Sequence, residues 1–175
     1  MVDRLDRKIL DILQRDGRVS FAELSRRVHL SPTPCIERVR RLEREGYIQS
    51  YAALLDPARL GASLLAFVEI RLDRTTPEVF DRFREAVLAL PEIQECHMVA
   101  GGFDYLIKLR VADMQAYRRI LGERLTALPG VEQTHTYFVM EEVKSTQAVA
   151  VPPAEPDELP RRAPRPASRG RQRRR

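Results

Sequence analysis

Apolar positions recur with a helical period over residues 3–16, where Leu5, Ile9, Ile12 and Leu13 share one face. Gly17 follows where a C′ glycine would end that helix. Ser20 and Glu23 have the spacing of a capping box and predict a second helix burying Phe21, Leu24 and Val28. After a short His29-Leu30 turn, a third helix opens with two prolines. Proline is tolerated in a first turn because the N–H groups there lack intrahelical partners. This reading makes Ser31 the N-cap and puts Pro32 at N1 and Pro34 at N3. Cys35, Ile36, Val39, Leu42 and the stem of Glu43 then face inward, while Thr33, Glu37, Arg38, Arg41 and Arg44 face outward, and Gly46 ends the helix. Three short helices with a tight second turn predict a helix-turn-helix, its motif occupying residues 21–40 from Phe21 to Arg40.

Beyond this head the period shortens. Residues 47–55 alternate and are rich in strand formers, which predicts a strand leading out of the head, with a boundary at 57–61. Strands are expected at 65–72, 93–99, 105–111 and 131–143, and helices at 77–90 and 113–128, with Gly101-Gly102 as a turn. In the first of these helices Val79, Phe80, Phe83, Val87 and Leu90 point inward. Ala89-Leu90-Pro91-Glu92-Ile93-Gln94-Glu95-Cys96-His97 aligns with Ala127-Leu128-Pro129-Gly130-Val131-Glu132-Gln133-Thr134-His135, each copy a helix end, a proline turn and a strand. The order is βαβ twice, the ferredoxin-like βαββαβ arrangement. An antiparallel sheet with helices on one face leaves its other face to find cover, so self-association is expected.

Charge changes the picture more than composition does. The net +5 of the 175 residues resides in residues 151–175, where eight arginines face only Glu155, Asp157 and Glu158. The first fifty residues are net basic and residues 51–150 net acidic, so the chain has a basic head, an acidic middle and a basic tail. Such asymmetry points to nucleic acid as the partner of the head; the tail suits either nonspecific DNA contact through counterion release or a solvating extension with no specific role. The proline- and arginine-rich end has too few apolar residues for a core and reads as disordered. No apolar run approaches the ~20 residues of a membrane span, and no signal peptide is visible. Cys35 and Cys96 lack metal-ligand spacing and read as reduced thiols of a cytoplasmic protein.

Two stretches carry candidate chemistry. The start of the third helix offers N–H groups to phosphates, with Thr33 and Pro34 at a groove floor and Arg38 and Arg41 within reach of bases or phosphates. The plainer reading is a solvated charged face, given Glu37, Glu43 and Glu45. Gly101-Gly102 allows close backbone approach and Asp104 supplies an anion, as a free amino acid requires. The same residues also suit an ordinary hairpin turn. His97 and His135 have no third ligand beside them, so no metal is expected. The chain shows no phosphate loop, nucleophile elbow or triad, so no catalytic function is expected.

Leu5-Asp6-Arg7-Lys8-Ile9-Leu10, Glu23-Leu24-Ser25-Arg26-Arg27-Val28, Leu30-Ser31-Pro32-Thr33-Pro34-Cys35 and Arg38-Val39-Arg40-Arg41-Leu42-Glu43 together resemble the Lrp/AsnC family of regulators. Ile93-Gln94-Glu95-Cys96-His97, Phe103-Asp104-Tyr105-Leu106 and Val139-Met140-Glu141-Glu142-Val143-Lys144 extend the resemblance, which spans residues 3–146. It implies an α+β chain: a winged-helix-like helix-turn-helix over 1–50, a linker strand and hinge over 51–62, a ferredoxin-like effector and oligomerisation domain over 63–146, and a tail over 147–175 outside the match. It implies transcription control of amino-acid-related genes, with Ser31, Pro32, Thr33, Pro34, Arg38 and Arg41 at the DNA. It also implies an amino-acid effector such as leucine and no cofactor. The effector pocket would be lined by Met98, Ala100, Gly101, Gly102, Asp104, Met114, Thr136, Tyr137 and Val139. Double-stranded DNA, a free amino acid and further copies of the chain, as dimers or octamers, are the expected partners, at the nucleoid in the cytoplasm. An architectural protein that wraps DNA with weak sequence preference is the alternative. The family usually has glycine in the turn before the recognition helix, where this chain has His29.

Overall fold

The computed structural model describes residues 2–152. The expectation for the distal tail falls on 153–175 and lies outside the described residues. The described residues form two compact units, residues 2–52 with 146–152 and residues 53–145.

The first unit contains α1 (Arg4–Leu13), α2 (Phe21–Val28) and α3 (Pro32–Arg44). Ile9, Leu24, Val28, Cys35, Val39 and Leu42 are buried together, with Leu10, Ile12, Leu13, Val19, Leu30 and Ile48 packed around them. Phe21, expected inside, is instead 46% exposed, because it begins its helix on the outer side of that cluster. A capping box does form, but at α1: the Asp3 carboxylate accepts from the Asp6 N–H at 2.8 Å and Asp6 accepts from the Asp3 N–H at 3.0 Å. At α2 only half of the expected box is present. Ser20 accepts from the Glu23 N–H at 3.2 Å, while the Glu23 carboxylate turns to Arg26 and Arg27.

α1 ends earlier than expected, with Gln14 as its cap, and Gly17 plays another part. A Cβ there would stand 3.3 Å from Tyr51 Cδ1, so glycine leaves room for the tyrosine ring. The Tyr51 hydroxyl donates to Glu43 at 3.0 Å. Burial, and then the neighbouring Glu43 carboxylate, push the Tyr51 phenol up to about 12. The expected strand over 47–55 does not form: the segment is irregular, with Leu54 84% and Leu55 69% exposed. An extended segment becomes a strand only when its N–H and C=O groups meet a second one, and no neighbour pairs with it among the described residues.

The second unit is β1 (Leu64–Leu72), α4 (Pro77–Leu88), β2 (Ile93–Met98), β3 (Tyr105–Val111), α5 (Met114–Ile120) and β4 (Val131–Phe138). The sheet order is β2-β3-β1-β4 with every pair antiparallel, which is the predicted βαββαβ topology. Ala66, Val68, Ile70 and Leu72 of β1 alternate inward beside Tyr105, Ile107, Leu109 and Val111 of β3. Val79, Phe83 and Val87 of α4 cover them, and the Phe83 and Tyr105 rings stack at 4.4 Å. The expected long helix over 113–128 switches to a π-helical turn at Leu121–Leu125. The wider turn sets Gly122 in open space and keeps Leu125 fully buried. β4 ends at Phe138 rather than at 143, since the β1 ladder it pairs with runs out there.

The helix-free face of the sheet is not a bare apolar surface. Lys108 pairs with Glu95 at 2.8 Å and Arg110 with Glu142 at 2.7 Å, leaving Phe67 and Leu106 half-buried among charges.

Candidate functional site

His29 sets the direction of α3. It is the one non-glycine residue with positive φ among the described residues, at φ 58° and ψ 45°. Its N–H reaches the Arg26 carbonyl at 3.2 Å and the Leu30 N–H reaches Ser25 at 2.9 Å, the paired bonds of a Schellman cap. Gly46 closes α3 in the same way at φ 76°, with Gly46 N–H on Glu43 at 3.1 Å and Tyr47 N–H on Leu42 at 3.0 Å.

Ser31 stands at the N-cap of α3 and Pro32 at its first position, as expected, but the Ser31 hydroxyl makes no capping bond. A cap hydroxyl accepts from N2 or N3. Here N3 is Pro34, which has no N–H to give. The prolines also reduce the supply of donors for an anion: only Thr33 keeps an N–H in that turn. Ser31, Pro32 and Thr33 are exposed, Pro34 half-buried.

Arg38 and Arg41 do not face outward, and this corrects the expectation for them. Arg38 Nη1 binds Asp3 at 2.6 Å and Asp6 at 2.7 Å, while Arg41 binds Asp6 and approaches Glu45 at 3.9 Å. Asp6 is completely buried, and a buried carboxylate without a cationic partner is costly, so α1 captures both guanidiniums. Burial works to raise the Asp3 carboxyl, but the Asp6 N–H and the Arg38 guanidinium outweigh it and hold it below the usual range. The cost of burial at Arg38 is likewise overcome by hydrogen bonds to Asp3 and Asp6, which raise its pKa. The face left open on α3 is Thr33, Glu37, Arg40 and Arg44, which lie at helical spacing, and neither Arg40 nor Arg44 makes an ion pair among the described residues. The sequence does carry a signal for this arrangement. Asp6 falls on the apolar stripe of α1, where a charge demands a partner, three residues after a cap-forming Asp3.

The predicted effector residues fall into two groups. Met98 ends β2, and Ala100, Gly101, Gly102 and Asp104 form the loop into β3. Neither glycine has positive φ, and a Cβ on either would meet open space. Asp104 is not a free anion: its Oδ2 accepts from the Leu72 N–H at 2.8 Å, and its own N–H reaches Ile70 at 2.9 Å, so it closes the end of β1. Met114 lies beyond the other end of β3, which puts it roughly 20 Å from the loop at about 3.4 Å per strand residue. Thr136 is bonded to the Tyr117 hydroxyl on the helix side of the sheet. Tyr137 points to the opposite face, where its phenol is raised by a hydrogen bond to Glu69. Val139 is tied to Leu65 at 3.0 Å, near Met114's end. One chain therefore does not assemble these nine residues around a single cavity. A cleft of about 300 Å3 lies elsewhere, bordered by Glu92, Arg110, Ala116, Arg119 and Arg124. His97 contacts Glu95 at 3.3 Å and His135 packs on Tyr137, on opposite edge strands.

A helix-turn-helix with an open basic face, joined to a βαββαβ unit of separate fold, defines a DNA-binding transcription regulator with a ligand-binding domain. Residues 2–49 match the winged helix-turn-helix DNA-binding model and residues 65–149 the Lrp/AsnC ligand binding domain. The chain belongs to the Lrp/AsnC family. The leucine-responsive regulatory protein of Klebsiella pneumoniae is 63% identical over 150 residues, covering 86% of this chain and 92% of its relative. A Neisseria meningitidis transcriptional regulator, NMB0573, solved in complex with L-Met, superposes with a TM-score of 0.83 at 35% identity, covering 86% of this chain and 97% of the other. An AsnC family transcriptional regulator from Agrobacterium tumefaciens superposes at 0.81 with 36% identity, covering 85% and 96%. No helix among the described residues is long and apolar enough to cross a membrane.

Proposed function

We propose that this regulator reads operator DNA with the open face of α3 and answers to a free amino acid, leucine or one like it, without catalysing a reaction. The observation that carries the DNA reading is a recognition helix whose inward arginines are bound by buried Asp6, while Arg40 and Arg44 are exposed and make no ion pair among the described residues. Arg38 and Arg41 are then positioning residues: they fix the angle of α3 against α1. Thr33 and the Ser31 hydroxyl meet phosphate or base edges at the start of the helix. The effector reading draws support from the relatives, one named for leucine and one solved with L-Met. The hairpin group of one copy (Met98, Ala100, Gly101, Gly102, Asp104) joins Met114, Thr136 and Val139 of another. Separation of the two groups within one chain favours a pocket that closes only on assembly, so ligand and oligomer size are linked. Dimers and octamers at the nucleoid, in the cytoplasm, are the assemblies this reading requires.

The test is selection of binding sites from a random-sequence DNA pool, followed by footprinting. Arg40→Ala and Arg44→Ala should each abolish preference for the selected duplex while the fold persists. Retention of that preference in both variants overturns the assignment. Sizing with and without each of the amino acids tests the assembly, which should shift with leucine or a similar apolar one and with no other.

A further inference from the structure

α2 and α3 each carry a glutamate followed, three and four residues later, by two arginines. On α2, Glu23 binds both Arg26 and Arg27, the latter at 2.7 Å. On α3, Glu37 stands in the same relation to Arg40 and Arg41, yet it makes no ion pair among the described residues. Buried Asp6 holds Arg41 instead. Glu37 is exposed on the open face, with Thr33, Arg40 and Arg44. At 3.6 residues per turn these four project within an arc of roughly 60°. Along the axis Glu37 lies about 6 Å from Thr33 and about 4.5 Å from Arg40, at 1.5 Å per residue. A carboxylate is thus displayed in the middle of a face that is otherwise neutral or cationic.

We propose that Glu37 is a specificity-determining residue, whose carboxylate accepts a hydrogen bond from the N4 amino group of a cytosine in the major groove. The inference deepens the DNA reading above and rests on it. Phosphates repel a carboxylate, and the donors that base edges offer in the major groove are the amino groups of cytosine and adenine. Adenine sets its N7 acceptor beside N6, against which a carboxylate would place a lone pair; the edge of cytosine presents N4 without one. The position suits the role. Recognition helices meet base edges with their N-terminal residues. That end is poor in donors here, since Pro32 and Pro34 have no N–H. Glu37, one turn in, is the first long side chain on the open face. Its charge also acts as a filter: where no amino group meets it, the carboxylate weakens binding, so Glu37 rejects wrong sites as well as rewarding the right one.

The test compares the native chain with Glu37→Ala and Glu37→Gln, all at full length. Fluorescence anisotropy measures affinity for the duplex that the native chain selects, for its single-pair variants and for a scrambled duplex. The native chain should show a C·G pair whose replacement weakens binding by roughly tenfold or more, the worth of one good base contact. Glu37→Ala should level that pair to within about twofold while discrimination at the other pairs persists. It should also bind the scrambled duplex more tightly, because a charge facing the phosphates is gone. Glu37→Gln should turn the preference at the same pair towards A·T, since a carboxamide pairs with adenine N6 and N7 together. Both variants should melt with the native chain, because Glu37 has no ion-pair partner in the head among the described residues. If Glu37→Ala discriminates at every pair as the native chain does, the inference is overturned and Glu37 is a solvated charge. The α3 reading fails separately, by persistence of sequence preference in Arg40→Ala and Arg44→Ala, and the inference then falls with it.

Discussion

Replacing Asp6 by asparagine keeps the size of the side chain and removes its charge. In the native head Asp6 is fully buried and accepts from Arg38 at 2.7 Å, from Arg41, and from the Asp3 N–H at 3.0 Å. Breaking a buried ion pair from one side costs about 3–5 kcal/mol because the other charge loses its partner. Two features moderate the loss. The side chains of Arg38 and Arg41 remain 26% and 36% exposed, and Asp3 still holds Arg38 at 2.6 Å. About 2–3 kcal/mol is then the expected destabilisation, worth roughly 10–20 °C in a domain of this size. Differential scanning calorimetry reads it directly. A double-mutant cycle with Arg41→Ala isolates the pair and should return a coupling of about 1.5–3 kcal/mol, the worth of a hydrogen bond to a charged group. DNA binding below the melting range gives a second readout. Were Arg38 and Arg41 groove contacts held back by Asp6, freeing them would tighten binding. The positioning role requires weaker binding, because α3 loses its fixed angle. An unchanged melting temperature, a coupling near zero, or tighter binding would refute the reasoning.

His29→Gly relieves a left-handed residue and should raise head stability by about 1 kcal/mol, read as a higher urea midpoint; a lower midpoint contradicts the Schellman geometry. Gly130→Ala should destabilise the sheet unit by more than about 2 kcal/mol, since φ is +76° and the new Cβ would sit 2.6 Å from Val79 Cγ1. Calorimetry checks it, and a neutral effect would mean the β4 entry is slack. The carboxyls of Asp3 and Glu95 lie below their ordinary values, Glu95 through Lys108 and then His97. A depressed folded pKa means that their contribution is complete above the unfolded value of about 4 and is lost as pH falls through the folded one. Urea midpoints should hold between about pH 5 and 7 and drop below about pH 4; a flat profile into acid would exclude these pairs as stabilising.

What was legible from sequence were the features with local causes. The helical stripe ending in Val28, the prolines opening α3 and the proline turn repeated at Pro91 and Pro129 depend on neighbours a few residues away. From them the helix-turn-helix and the βαββαβ order follow, and both stand in the structure. At His29 the signal came through the resemblance, by the glycine the family usually has there, and the structure shows the residue at positive φ. The arginines of α3 were not legible. Helical spacing puts Arg38 on the outer flank, but whether it meets solvent depends on what α1 offers across the gap, and α1 offers a buried carboxylate. The strand expected over 47–55 failed for a related reason, because strand propensity cannot supply the second strand that a ladder needs. The effector residues make the same point at larger scale. Sequence placed Gly102 and Thr136 in one site through a resemblance, whereas the tertiary structure puts Gly102 in the loop between β2 and β3 and Thr136 on the edge strand β4. Local chemistry determined the elements and their order. Only the packing of distant segments decided which charges are bound, which are free, and that one chain does not by itself complete the predicted pocket.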